Sequence, residues 1–125
     1  MNKYRDKSDF EINKAVAIAI GAKPFPPERT EFTQCEIPWL ENAIIVKITG
    51  VKTGPFDPCN NPADAMPIIK DNLISLEHDG IAWMVSCVRH PEISVWDGCE
   101  NYNDNFYRKA MELFLLMKDA ENEKV

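Results

Sequence analysis

The chain has 125 residues, 45% of them apolar and 27% charged, which places it with single globular domains that close a core unaided and away from disordered chains. Its formal net charge of −6 repels a phosphate backbone, and the densest basic stretch, Lys3, Arg5, Lys7 and Lys14, is broken by Asp6, Asp9 and Glu11, so no nucleic-acid partner is expected. With no signal peptide and no apolar run near the roughly 20 residues of a membrane span, a cytoplasmic, membrane-free location is expected, with Cys35, Cys59, Cys87 and Cys99 as reduced thiols.

In chain order, residues 8–20 read as a helix. Ser8 and Glu11 have the spacing of a capping box, Ile12, Val16, Ala19 and Ile20 recur at helical period, and Gly21 supplies a left-handed stop. Residues 22–41 read as an irregular excursion, because Pro24, Pro26, Pro27 and Pro38 forbid regular structure. That loop carries Phe25, Phe32, Ile37, Trp39 and Leu40, too much apolar surface for a linker, and is expected to pack on the domain or on a partner. Residues 43–49 form a β-branched run that predicts a strand, followed by a turn-rich connection from Gly50 to Pro58.

Asn61 and Pro62 predict the N-cap and first position of a second helix, with Asp64 favouring its dipole and Pro67 bending it or limiting it to about 10 residues. Leu73–Leu76 and Ile81–Val88 predict a hairpin turned by Asp79-Gly80, with Trp83, Val85 and Cys87 on one pleat face. Residues 89–104 read as a second polar loop, containing Trp96 and Tyr102. The last helix is predicted from about Phe106 to Ala120, capped by Asn105 or Asp104. Its run Leu113–Met117 is apolar around the whole helix, which calls for a helix sandwiched in the core or shared with a second copy in a homo-oligomer. The pattern predicts an α+β fold: a small antiparallel sheet of about three strands with three helices packed on it, in a single domain spanning residues 1–125.

Three groups of residues compete as sites. Asp57, Cys59, Asn60 and Asn61 precede a helix N-terminus, where free N–H groups and the dipole attract anions and activate a thiol; against that, Asn61 serves as a cap, Asn60 as a turn residue and Cys59 as a small buried hydrophobe. Cys87-x-x-His90 with Cys99, completed by Cys35 or Cys59, has the ligand types of a zinc site but no paired knuckle, so no metal is expected. His78-Asp79 sits in a turn and lacks a nucleophile, and no glycine cluster could cradle a phosphate, so no catalytic set and no cofactor emerge. The loop aromatics Trp39, Trp96 and Tyr102 fit a protein interface, where large rings bury much area at low entropic cost; against that, the loops fold back and use these rings to cover the open face of the sheet.

The stretch SDFEINKAVA ending at Gly21, the block FDPCNNPADAMPII (Phe56–Ile69), the following ISLEHDGIAW and the Met/Phe/Leu-rich final helix together resemble the NinX-like family of small proteins of lambdoid phages and prophages. The resemblance covers most of the chain and is weakest over residues 22–41. Met66 stands where the family commonly has Trp, and Asn105-Phe106 where Asn-Pro usually opens the final helix; each swap keeps an apolar side chain or a cap. The resemblance implies a phage or prophage accessory protein and brings no activity with it. With no catalytic set but abundant apolar surface in loops, the favoured expectation is a module that binds an unidentified host or phage protein rather than an enzyme. The alternative is a small-ligand-binding protein or enzyme centred on Cys59, Asn60 and Asn61.

Overall fold

Residues 2–93, 95 and 105–123 are described by a computed structural model of the chain. The elements run α1 (Asp9–Ala19), β1 (Lys23–Pro24), a 3-10 turn (Pro38–Leu40), β2 (Ile44–Ile48), β3 (Lys52–Phe56), α2 (Pro62–Asp71), β4 (Ile74–His78), β5 (Trp83–Cys87) and α3 (Phe106–Glu123).

Local chemistry sets the helix ends. The Ser8 hydroxyl accepts the Glu11 N–H at 3.2 Å and opens α1. At the other end Gly21 adopts φ +81°; its N–H reaches the Ile18 carbonyl at 3.2 Å, and that of Ala22 reaches Ala17 at 2.9 Å. This is the paired bonding of a Schellman stop. Asn61 accepts the Ala63 N–H at 3.0 Å to cap α2, Pro62 takes the first position, and the helix spans 10 residues with Pro67 on its exposed face. Asn105 caps α3, its side-chain oxygen accepting the Arg108 N–H at 3.2 Å.

The α+β class and the antiparallel pairing are as expected, with the strands divided between two sheets. β1, β2 and β3 form one in that order, and β4 and β5 the other. The expectation of one sheet of about three strands missed β3, which lies inside the stretch read as a turn. Lys52-Thr53-Gly54-Pro55-Phe56 has low strand propensity, yet β3 is an edge strand, where a proline without an N–H is tolerated. Gly50, at φ +78°, holds the third position of the Ile48–Val51 turn, where a type II geometry demands a positive φ.

The excursion over 22–41 is more ordered than its prolines predict. Pro24 pairs with Val46 and Gln34 bridges to Ile44, so both flanks of residues 25–33 sit on the same edge of β2. Residues 33–35 then zip against 43–45: Ile45 donates to the Thr33 carbonyl at 3.0 Å and Cys35 to Ala43 at 2.8 Å. The chain therefore projects two loops from one sheet edge, 25–33 and 36–42, the second with the 3-10 turn at its tip. Phe32 packs against the core as expected, while Trp39 is 81% exposed.

α3 is the hub. It touches α1, α2, β4 and β5, and every residue from Arg108 to Leu115 is buried, with Met117. The apolar run Leu113–Met117 is thus satisfied mainly within the chain: Leu116 alone is half-buried. Core side chains from α1 (Ile12, Val16), β2 (Ile44, Val46), α2 (Ile68, Ile69) and β5 (Val85, Cys87) close around it in one contiguous cluster. Trp83 meets the Phe106 ring at 4.7 Å and fixes the hairpin to the start of α3. No described helix is long and apolar enough to cross a membrane.

Candidate functional site

The block Asp57–Asn61 lies where the N-termini of all three helices meet. Its backbone is a tight turn, in which the Asp57 carbonyl accepts N–H groups of Asn60 at 3.1 Å and Asn61 at 2.8 Å. Asn13, fully buried on α1, holds that turn from beneath. Its amide donates to the Asp57 carboxylate at 2.7 Å and the Asn42 carbonyl at 2.8 Å, and its oxygen accepts the Cys59 N–H at 3.1 Å. From the α3 side, Asn105 donates to the Cys59 carbonyl at 2.7 Å and to the Asn60 side chain at 3.0 Å. Asn60 in turn donates to Asp9 at 3.1 Å and to Asp57 at 3.2 Å.

The charges are arranged with equal economy. Asp64, in the first turn of α2, accepts the Asp57 N–H at 2.9 Å and pairs with Lys52 of β3 at 2.8 Å. Arg108 is buried and binds Asp9 at 2.6 Å, Glu112 at 2.7 Å, and the carbonyls of Tyr4 at 2.9 Å and Lys7 at 2.6 Å. Burial works to weaken its hold on the proton, but Glu112 and Asp9 outweigh burial and raise its pKa above the ordinary guanidinium value. Each helix N-terminus here faces a side chain of the protein itself: Ser8 for α1, Asn61 and Asp64 for α2, Asn105 for α3. At each start one of the N–H groups that would draw in an anion is thus taken by the protein's own side chain.

Cys59 is fully buried, its Sγ 3.9 Å from the Asp9 carbonyl. Burial pushes the thiol pKa well up and the Asp9 carboxylate adds to it; Arg108 opposes them, and Asp57 and Glu112 raise it by smaller amounts. Such a thiol is protonated and shielded at neutral pH, the opposite of an activated nucleophile. The structure brings Asp57, Cys59, Asn60 and Asn61 together as the sequence implied and surrounds them with internal partners.

Sequence reasoning missed the residues that complete this centre: Asp9, Asn13, Asp64 as an ion-pair partner, Arg108 and Glu112. One signal was legible. Asn13 lies on the same buried face of α1 as Ile12, Val16 and Ala17, and a polar residue in that stripe needs a specific partner. Arg108 and Glu112 stand one helical turn apart on a helix that is buried on nearly all sides.

The other candidates separate. His78 Nδ1 accepts the Gly80 N–H at 3.0 Å, and Asp79 accepts those of Ile81 and Ala82, both at 2.8 Å; these residues form the hairpin turn. Those bonds hold the Asp79 carboxyl below its usual pKa. Cys35, Cys59 and Cys87 are free and buried, and no three His, Cys, Asp or Glu side chains among the described residues are grouped to hold a metal. Cys99, Trp96 and Tyr102 lie outside the described residues. Trp39 projects from the 36–42 loop, and Ile37, two positions before it, is 40% exposed. The neighbouring 25–33 loop forms an open groove lined by Pro26, Glu28, Arg29, Thr30, Glu31 and Thr33.

The fold and the site define a small α+β domain whose three helix starts are bound together through one Asp-Pro-Cys-Asn-Asn-Pro block. A family model described as Bacteriophage P22, NinX matches residues 3–118, and the chain belongs to that family. No curated protein and no solved structure matches it.

Proposed function

We infer that this phage accessory protein is a protein-interaction module whose contact surface is the loop carrying Trp39. One observation carries the reading: an indole 81% exposed, on a 3-10 turn that the 33–35/43–45 ladder holds away from the core. An exposed tryptophan on a braced turn is organised before binding, so little ordering entropy is lost when a partner covers it. The polar centre around Cys59 supports this reading from the other side, since its hydrogen-bonding groups are occupied by the fold itself.

The test is affinity capture from a lysate of the bacterial host with the tagged chain and its Trp39→Ala variant. A stoichiometric partner retained by the parent chain and depleted about tenfold or more by the variant is expected, the size of effect a central interface tryptophan shows. Equal capture by both forms would remove Trp39 from the function. Trp39 is largely exposed, so both forms should unfold at the same urea concentration, which separates a binding effect from a folding one.

A further inference from the structure

We propose that the Trp39 surface recognises an arginine-rich, extended segment of a protein partner; this rests on the interaction reading above and specifies its chemistry. The two loops projecting from the β2 edge carry four carboxylates, Glu28, Glu31, Glu36 and Glu41, against one guanidinium, Arg29, and all five side chains are exposed. That short stretch accounts for half of the chain's net charge of −6. Among the described residues no cation pairs with Glu36 or Glu41, which flank the Ile37-Pro38-Trp39 turn in sequence. The lysines of this sheet edge, Lys23 and Lys47, pair with each other in register at the end of the ladder away from the 36–42 loop. The apolar turn therefore stands in the chain between two exposed carboxylates, Glu36 and Glu41, that no described cation neutralises.

Such a surface discriminates between partners by elementary electrostatics. An anionic or purely apolar segment would have to strip water from carboxylates that gain nothing in return. A guanidinium gains twice: its flat face stacks on the indole, and its N–H groups bond to adjacent carboxylates in the bidentate geometry that planar donors favour. A lysine offers a point charge that can use the carboxylates but stacks less well. Glu28 and Glu31 in the neighbouring groove extend the same preference to further basic residues along an extended chain.

The experiment is a calorimetric titration of the full chain with a synthetic peptide alternating arginine and glycine. Parallel titrations use the lysine and glutamate versions of the same peptide, a short DNA duplex, and phosphatidylglycerol vesicles. Binding of the arginine peptide is expected to weaken about tenfold in Trp39→Ala and about fivefold in Glu36→Gln/Glu41→Gln. It should also weaken with added salt, and the lysine peptide should bind several-fold less tightly. The proposal is overturned if the arginine peptide does not bind, if either variant binds it as the parent does, or if the glutamate peptide, DNA or vesicles bind more tightly through Trp39. Should the arginine peptide fail while lysate capture still depends on Trp39 and ignores Glu36→Gln/Glu41→Gln, the basic-partner chemistry falls alone. Should Trp39→Ala leave capture unchanged, the interaction reading falls with it.

Discussion

Asn13 shows what a single buried amide can organise. At the centre of the buried face of α1 it satisfies a carboxylate, a carbonyl and an N–H from two different loops. Cys59 and Tyr4 show the converse, groups whose protons the fold retains. Burial first, and then the Asp119 hydrogen bond and charge, raise the Tyr4 pKa as burial and Asp9 raise that of Cys59. Both therefore bind their protons more tightly folded than unfolded. Their contribution to stability is whole below the ordinary values, 9.0 for the thiol and 10.0 for the phenol, and is lost as pH rises beyond them. Urea midpoints are expected to hold steady from neutral pH and to fall above pH 9.0, and Cys59→Ala should remove the first part of that fall. A midpoint in the parent chain that stays level past pH 10.0 would show that neither group is held protonated.

At the scale of elements, the helices were the most legible part of the chain because their ends are written in local chemistry. Ser8, Asn61 and Asn105 cap as predicted, and Gly21 ends α1. A Cβ placed on Gly21 would meet nothing within 4 Å, so Gly21→Ala should cost only the conformational penalty of a positive φ, about 1 kcal/mol, measurable by urea unfolding. A loss several times larger would mean that this stop is held by contacts as well as by its dihedral. The strands were less legible. β2 announces itself with β-branched residues, whereas β3 contains Gly54 and Pro55 and becomes a strand only because β2 offers it an edge. The two loops over 25–42 were hidden for the same reason: proline spacing predicts irregular chain, and the pairings of Pro24 and Gln34 with β2 are long-range.

In the whole molecule, Arg108 is the tie between the two ends of the chain. It links α3 to Asp9 and to the carbonyls of Tyr4 and Lys7, and Tyr4 and Asn2 add bonds to Asp119 and Glu112, each at 2.6 Å. Arg108→Met keeps the bulk but strands two carboxylates, one of them buried, and should cost about 3–5 kcal/mol. Trypsin should then cleave early at Arg5 or Lys7, because the segment they occupy has lost its anchor. Unaltered cleavage and stability would reduce the cluster to a surface ornament. The same cluster explains why the Cys59 block reads as a site in sequence: acids, amides and a thiol beside a helix start are the ingredients of binding, and here they bind the three helices to one another.

The sequence alone determined the helices, the α+β class, the hairpin turn and the family resemblance, because caps, periodicity and turn residues act over a few positions of the chain. Tertiary structure decided the division into two sheets, the burial of Asn13 and Arg108, the shielding of Cys59 and the exposure of Trp39. Each of these depends on partners many positions away in the chain. Whether a polar side chain meets water, a ligand or another part of its own protein is a matter of proximity in space, which no local pattern encodes.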